Sequence, residues 1–296
     1  MESHHQTNNN SSHSSDLFQY YYEDVWEKYS APRISWLPLM QGGPWPVLLI
    51  TLMYLIFVKL IGPMMMSKRK PYDLRNVIFR YNVFMVVFNS ICFFYTAYFT
   101  RMGIRTWQCG ALEEVSDFDR FGGWIFFMSK FVDFFDTVFF VLRKKYTHVS
   151  FLHVVHHALV PINCWIGLKF VPSWSAAFMP FLNSFVHAVM YSYYALSTMG
   201  PEIRPYLWWK KYLTQLQIIQ ICFVCIHCLY LAILPSCKLP KIVFLIAAPQ
   251  GFLILFLFCS FFVNAYLRKP STGVDQNLNK QQQTLPTPSS DKIKAQ

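Results

Sequence analysis

The chain has 296 residues, 54% of them hydrophobic, 19% aromatic and only 14% charged, with a formal net charge of +11. Soluble domains carry about 25% charged residues, so this composition excludes an ordinary soluble protein and reads as an integral membrane protein. Nucleic-acid binding would want a contiguous soluble basic face, and the basic residues are instead dispersed between apolar runs.

Residues 1–16 are rich in Asn, Ser and His and are expected to be disordered; the expected tail extends over 1–30. It holds overlapping sequons at Asn9-Asn10-Ser11 and Asn10-Ser11-Ser12, acceptors for glycosylation if the tail is lumenal. His4, His5 and His13 read as polar filler. Residues 1–30 contain no apolar signal-peptide core, so the first span is expected to act as its own insertion signal. Seven apolar runs follow, at 44–62, 77–100, 121–142, 150–170, 175–198, 212–234 and 242–267, each of membrane-spanning length. The expected architecture is an all-α integral membrane domain over 31–269 with seven transmembrane helices.

Orientation follows from the basic residues. Lys68, Arg69, Lys70 and Arg75 follow span 1; Arg143, Lys144 and Lys145 end span 3; Arg204, Lys210 and Lys211 follow span 5; Arg268 and Lys269 follow span 7. The positive-inside rule puts all four groups in the cytosol. Glu113, Glu114, Asp117 and Asp119 fall on the opposite side, the N-terminus is lumenal and the C-terminus cytosolic. Residues 270–296 form an expected disordered cytosolic tail. It ends with Lys292 and Lys294 in a Lys-x-Lys-x-x pattern, which resembles the dilysine signal that retrieves membrane proteins to the endoplasmic reticulum.

Of eight cysteines, Cys92, Cys164, Cys222, Cys225, Cys228 and Cys259 lie within spans and read as small packing residues. Cys109 and Cys237 fall in expected lumenal loops, where thiols oxidise. They are expected to pair and tie the span 2–3 loop to the span 6–7 loop.

Four successive spans carry polar stripes. Span 3 has Lys130, Asp133, Asp136 and Thr137; span 4 has His153, His156 and His157 on one helical face; span 5 has Asn183, His187, Tyr191 and Tyr194; span 6 has Thr214, Gln217 and Gln220. Lys130 and Asp133 can pair at i, i+3, either as a mere helix lock or as part of a site. Lipid cannot satisfy such groups, so the stripes are expected to face one shared cavity. His227 stands alone and reads as structural; His148, in the loop before span 4, fits either role.

Imidazole can serve as base, acid, nucleophile or metal ligand. A His-x-x-His-His box resembles those of membrane di-iron desaturases and hydroxylases, which need histidines in three boxes. This chain offers one box plus His148, His187 and His227, a poor supply for two irons; a single-metal oxidase stays open. So does a transporter or receptor that uses Lys130, Asp133 and Asp136 as an ion path.

Four motifs occur in order: Lys130-Phe-Val-Asp133-Phe-Phe-Asp136-Thr137; His153-x-x-His156-His157; Asn183-Ser184-x-x-His187-x-x-Met190-Tyr191-x-Tyr193-Tyr194; and Thr214-x-x-Gln217-x-x-Gln220. Gly62-Pro63, Arg69-Lys70-Pro71 and Tyr81-Asn82 precede them. In these residues the chain resembles the ELO family (elongation of very long chain fatty acids) over about residues 30–270. It departs at Asp133, where the family usually has Glu.

The resemblance implies a 3-oxoacyl-CoA synthase of the endoplasmic reticulum that condenses long-chain acyl-CoA with malonyl-CoA and releases CO2 and CoA. Spans 2–7 would enclose a substrate tunnel open to the cytosol. His156 is expected as nucleophile through an acyl-imidazole, with Cys164 the lesser option. His153, His157 and His187 are expected to handle protons, Asn183 or Gln217 to stabilise the oxyanion, and Asp133 or Asp136 to orient an imidazole. Lys130, Arg143, Lys144 and Lys145 are expected to hold CoA phosphates, with Thr214 and Gln217 also on the acyl-CoA and malonyl-CoA side. No metal or cofactor is expected. Expected partners are the bilayer, both substrates and the other elongation-cycle enzymes, with a homo-oligomer left open.

Overall fold

The computed structural model describes residues 19–31, 33–109, 115–235, 237 and 239–268. The sequons, Glu113, Glu114, the dilysine pattern and the C-terminal tail lie outside them. Among the described residues every regular element is helical. A π-helical turn, Tyr20–Asp24, runs into α1 (Val25–Lys28). Next come α2 (Trp45–Ile56), a π-turn at Phe57–Ile61 and α3 (Gly62–Met66), which form one rod, and α4 (Arg75–Phe99). They are followed by α5 (Asp117–Val132), α6 (Phe134–Leu142), α7 (Phe151–Phe170), α8 (Phe178–Thr198), α9 (Lys210–Ile233) and α10 (Lys241–Phe262).

Five of these stretches are long and apolar enough to cross a membrane: Trp45–Met66, Arg75–Phe99, Phe151–Phe170, Lys210–Ile233 and Val243–Leu267. The other two expected spans fall on α5–α6 and α8. Span 3, expected as one helix, is two helices that meet at Asp133. The break leaves α5 with 16 residues and α6 with 9, each short of a bilayer crossing by itself, and polar side chains dilute the hydropathy of α8.

Helix starts follow from local chemistry. Ser116 caps α5 by accepting from Asp119 N–H at 3.1 Å, with Asp117 and Asp119 in the first turn, where acidic groups complement the helix dipole. Ser150 caps α7 by accepting from His153 N–H at 3.2 Å, which fixes the register of the histidine box. α4 packs along α8, α8 against α9, α9 along α10, α10 against α7, and α7 against α5. Hydrogen bonds from Tyr81 OH to Val132 O (3.2 Å) and from Tyr95 OH to Asp119 Oδ1 (2.5 Å) join α4 back to α5. The circuit of helices therefore closes, with α2 outside it against α7.

One end of the circuit is tied twice. Cys109 and Cys237 are disulfide-bonded as expected, with Cα atoms 5.2 Å apart. The second tie corrects the expected tail. Residues 1–18 are outside the described region, but residues 20–28 are helical and residues 26–40 pack over the end of α7. Ile34, Leu37 and Met40 bury against Val47, Phe127 and Trp165. Glu27 accepts from Lys169 Nζ at 2.7 Å, from Gly42 N–H at 2.6 Å and from the Ser35 hydroxyl. Lys169 Nζ also donates to Met40 O at 2.5 Å. Burial pushes the Glu27 carboxyl up, but Lys169, Ser35 and Gly42 together outweigh it and hold the group below its ordinary value.

Lys169 is fully buried and Glu27 is not, so the pair is asymmetric. Glu27→Gln leaves a buried ammonium without a counter-charge, whereas Lys169→Met leaves a carboxylate that solvent and two donors still reach. Scanning fluorimetry in detergent should show the larger loss for Glu27→Gln, on the order of 3 kcal/mol, and the smaller for Lys169→Met. Because the Glu27 pKa is depressed on folding, this contribution is present above the unfolded-state pKa and fades as pH falls through the folded one.

Candidate active site

The junction of α5 and α6 places Lys130, Asp133 and Asp136 in the centre of the helix circuit. Lys130 Nζ lies 2.9 Å from Asp133 Oδ2 and donates to Asn183 Oδ1 of α8 at 3.3 Å. Tyr191, also on α8, donates to Asp136 Oδ2 at 2.7 Å, and its hydroxyl is 3.2 Å from Asp133 Oδ1. Lys130 is 2% and Asp133 3% exposed. The network is thus a charge cluster paired across two helices, as burial in an apolar interior demands.

These contacts bear on two expectations. Lys130, expected to hold a CoA phosphate, is enclosed and engaged by Asp133 and Asn183. The carboxylates of Asp133 and Asp136 meet Lys130 and Tyr191, and among the described residues neither bonds an imidazole. The expected carboxylate–histidine pair is absent because Tyr191 and Lys130 reach the carboxylates first. The imidazole that is held is His153, whose Nε2 lies 2.8 Å from Thr137 Oγ1, which is itself 3.0 Å from Tyr54 OH of α2.

The three box histidines do fall on one face. The His153 and His157 rings are 4.3 Å apart, and His157 stands edge-on to His156 at 5.6 Å. His156 makes no side-chain hydrogen bond among the described residues, and its Nδ1 is buried without a partner, as is His187 Nδ1. Lys130, Asp133, His156, His157, Asn183 and His187 together bound a small void of about 10 Å³, close to the space of one water molecule. Three of the four spans expected to converge therefore share this chamber, α5–α6, α7 and α8; the fourth, α9, does not border it.

His156, Val160 and Asn183 also form one wall of a larger cavity of about 280 Å³. It runs beside α7 past Cys164 and Gly167 to Val171, a rise of about 22 Å over fifteen residues. Gly122, Gly123 and Phe126 of α5, Val224 and Cys228 of α9, and Gly251 and Ile254 of α10 line it. A Cβ added at Gly167 would meet nothing within 4 Å, so this glycine faces open space.

The remaining expected residues lie elsewhere. Arg143, Lys144 and Lys145 follow α6, and Lys144 Nζ donates to Ser67 O at 3.3 Å. His148 sits in the same loop, held below its ordinary pKa by partial burial and by Lys145, Lys210 and Arg143. Thr214 turns back to Lys210 O at 3.3 Å, and Gln217 Nε2 reaches Met190 Sδ at 3.4 Å. Neither borders either of these two cavities; Gln220, the next member of that stripe, lines the larger one. His227, expected to be structural, lies 2.9 Å from Thr106 O, is stacked on Phe178 at 4.3 Å and also borders the larger cavity. Among the described residues no three His, Cys, Asp or Glu side chains converge as metal ligands. The sequence reading missed Asn163, two helical turns beyond His156 and on the same cavity wall; its i, i+7 spacing was the available signal.

Residues 39–273 match the family model described as ELO: GNS1/SUR4 family. The chain is 38% identical over 252 residues to very long chain fatty acid elongase 7 of Drosophila melanogaster, which covers 84% of this chain and 76% of that protein. It is 36% identical over 253 residues to very long chain fatty acid elongase 1 of Homo sapiens, covering 83% and 90% of the two chains. Against very long chain fatty acid elongase 4 of Homo sapiens the identity is 40% over 247 residues, covering 81% and 78%.

The buried charge cluster makes a stability prediction of its own. Lys130→Met leaves Asp133 uncompensated and should cost about 3 kcal/mol. Lys130→Met combined with Asp133→Leu should recover much of that loss, because the ion pair is removed as a unit while Asp136 keeps its Tyr191 hydrogen bond. Apparent melting temperatures of the wild type, both single variants and the double variant give the cycle; additive losses would contradict the pairing.

Proposed function

The chain belongs to the ELO: GNS1/SUR4 family, and from that premise we propose that it is the condensing enzyme of very long chain fatty acid elongation. It joins a long-chain acyl-CoA to malonyl-CoA and yields 3-oxoacyl-CoA, CO2 and CoA. The observation that carries this reading is His156: an imidazole with no hydrogen-bond partner, at the head of a long, mostly apolar cavity. The names of the similar proteins support the substrate class.

The cavity suits an acyl tail. Burying each CH2 contributes about 0.8 kcal/mol, and the depth available beyond His156 sets how much tail is accommodated. The thioester carbon would then sit at the chamber and the CoA moiety toward the loops that carry Arg143, Lys144 and Lys145, whose cations suit its phosphates.

An unprotonated nitrogen of His156 attacks the thioester carbonyl carbon. The carbon–sulfur bond breaks, CoA leaves as a thiolate that takes up a proton, and the acyl group is held on the imidazole. Malonyl-CoA then loses CO2; the electron pair of the broken carbon–carbon bond forms an enolate that attacks the acyl carbon. The carbon–nitrogen bond breaks and His156 is regenerated. Asn183 uses Oδ1 on Lys130, which leaves its Nδ2 able to donate to the oxyanion, and the Lys130 charge strengthens that donor site. His187 and His157 border the same void and can relay protons. Lys130, Asp133, Asp136 and Tyr191 act as positioning residues. No cofactor is required by this scheme.

The same reading assigns topology. α5–α6 and α8 cross the membrane with the five apolar stretches, giving seven spans in the endoplasmic reticulum. The disulfide end is lumenal, and the basic loops, the CoA end and the C-terminus are cytosolic. The 3-oxo product requires reduction and dehydration, so the reductases and dehydratase of the elongation cycle are the proposed partners.

Intact-protein mass after incubation with acyl-CoA alone tests the central step. Wild type and Cys164→Ala should gain one acyl mass, and His156→Ala should gain none. An adduct that persists in His156→Ala would overturn the assignment.

A further inference from the structure

The large cavity is not uniformly apolar. Asn163 follows His156 by seven residues on α7, so it faces the same cavity about 10 Å farther along. Its Nδ2 donates to Gln250 Oε1 of α10 at 2.9 Å, and Gln250 Nε2 donates to Ile246 O at 3.2 Å. The Gln250 amide is therefore fixed at both atoms. Asn163 Oδ1 is left buried without a partner. A second amide, Gln220 of α9, lines the same cavity with no side-chain hydrogen bond among the described residues.

A clasp between two helices needs only the Asn163–Gln250 bond. A buried acceptor with nothing to accept is costly, and a purely hydrocarbon ligand would keep it so. We propose that Asn163 forms a polar station in the acyl cavity that binds a hydroxyl group carried mid-chain by the acyl substrate. A hydroxyl is the smallest neutral group that donates to Oδ1. A double bond offers no donor, a ketone offers only an acceptor, and an amine would bring a charge into an apolar cavity. The station thus selects hydroxylated long-chain acyl groups with the hydroxyl about 10 Å beyond the thioester carbon. This rests on the proposed elongase reading, which places the thioester at His156 and the tail along α7.

The test uses the purified full chain and unreactive thioether analogues of acyl-CoA. All have one chain length, either unsubstituted or with a single hydroxyl stepped through the middle of the chain. Affinity is read by displacement of a fluorescent acyl-CoA and expressed relative to the unsubstituted analogue. Wild type should show one maximum in that ratio, at the hydroxyl position that reaches Asn163. In Asn163→Leu the ratio at that position should fall roughly ten-fold, with the ratios at other positions unchanged. If that variant does not fold, the wild-type profile decides alone. A profile in which every hydroxyl is penalised alike, or a maximum that survives in Asn163→Leu, overturns the proposal and leaves Asn163 as a helix clasp only. Extension of the plain acyl-CoA by malonyl-CoA, measured alongside, separates the two readings. Extension with a flat hydroxyl profile defeats only the polar station; binding without extension defeats only the condensing assignment.

Discussion

The buried ammonium of Lys130 and the carboxylates of Asp133 and Asp136 need partners in an apolar interior, and the arrangement of α5, α6 and α8 follows from that need. Asp133 and Asn183 take Lys130, while Tyr191 reaches both acids. Removing one partner leaves a charge that neither lipid nor packed apolar side chains can solvate. The network therefore acts as a register pin: it allows α8 one rotation and one height against α5. That rotation brings His187 and Asn183 toward the face of α7 that carries His156. Helix packing and site geometry thus depend on the same few bonds.

The opposite end is held by different means. The disulfide and the Glu27–Lys169 pair both close the circuit far from the histidines. Between these two fixed ends the interior is lined by small residues, among them Gly122, Gly123, Gly167 and Gly251. Gly167 faces open space there, Gly122, Gly123 and Gly251 let Tyr95, Leu168 and Cys225 pack closely against the walls, and the cavity runs along α7 from His156 to Val171. A rigid rim with an unfilled middle is what a long flexible ligand needs: the walls stay in place while the tail supplies the packing.

Much of this was legible in the amino-acid sequence. Apolar runs located the helices, the i, i+3, i+4 histidines located one face, and compartment chemistry paired Cys109 with Cys237. What stayed hidden depends on contacts distant in sequence. Tyr191 lies 55 residues beyond Asp136, so nothing local showed that the carboxylates would be occupied before any imidazole. Lys130 could be read as a partner of Asp133, but its bond to Asn183, 53 residues away, could not. The break at Asp133 is not marked by any proline or glycine, so the sequence reads through it. Residues 19–30 read as tail because Glu27 finds Lys169 only across 142 residues. Thr214 and Gln217 shared a stripe with Gln220, yet backbone and Met190 claimed them and only Gln220 reaches the cavity.

The claim that unites these features is that one enclosed chamber brings an imidazole to a thioester carbon for condensation. Purified protein incubated with long-chain acyl-CoA and labelled malonyl-CoA measures it directly. The account predicts a labelled 3-oxoacyl-CoA two carbons longer than the substrate, formed with stoichiometric release of CO2 and abolished in His187→Ala as well as in His156→Ala. Acyl-CoA consumed without incorporation of label, or full activity in either variant, would contradict it.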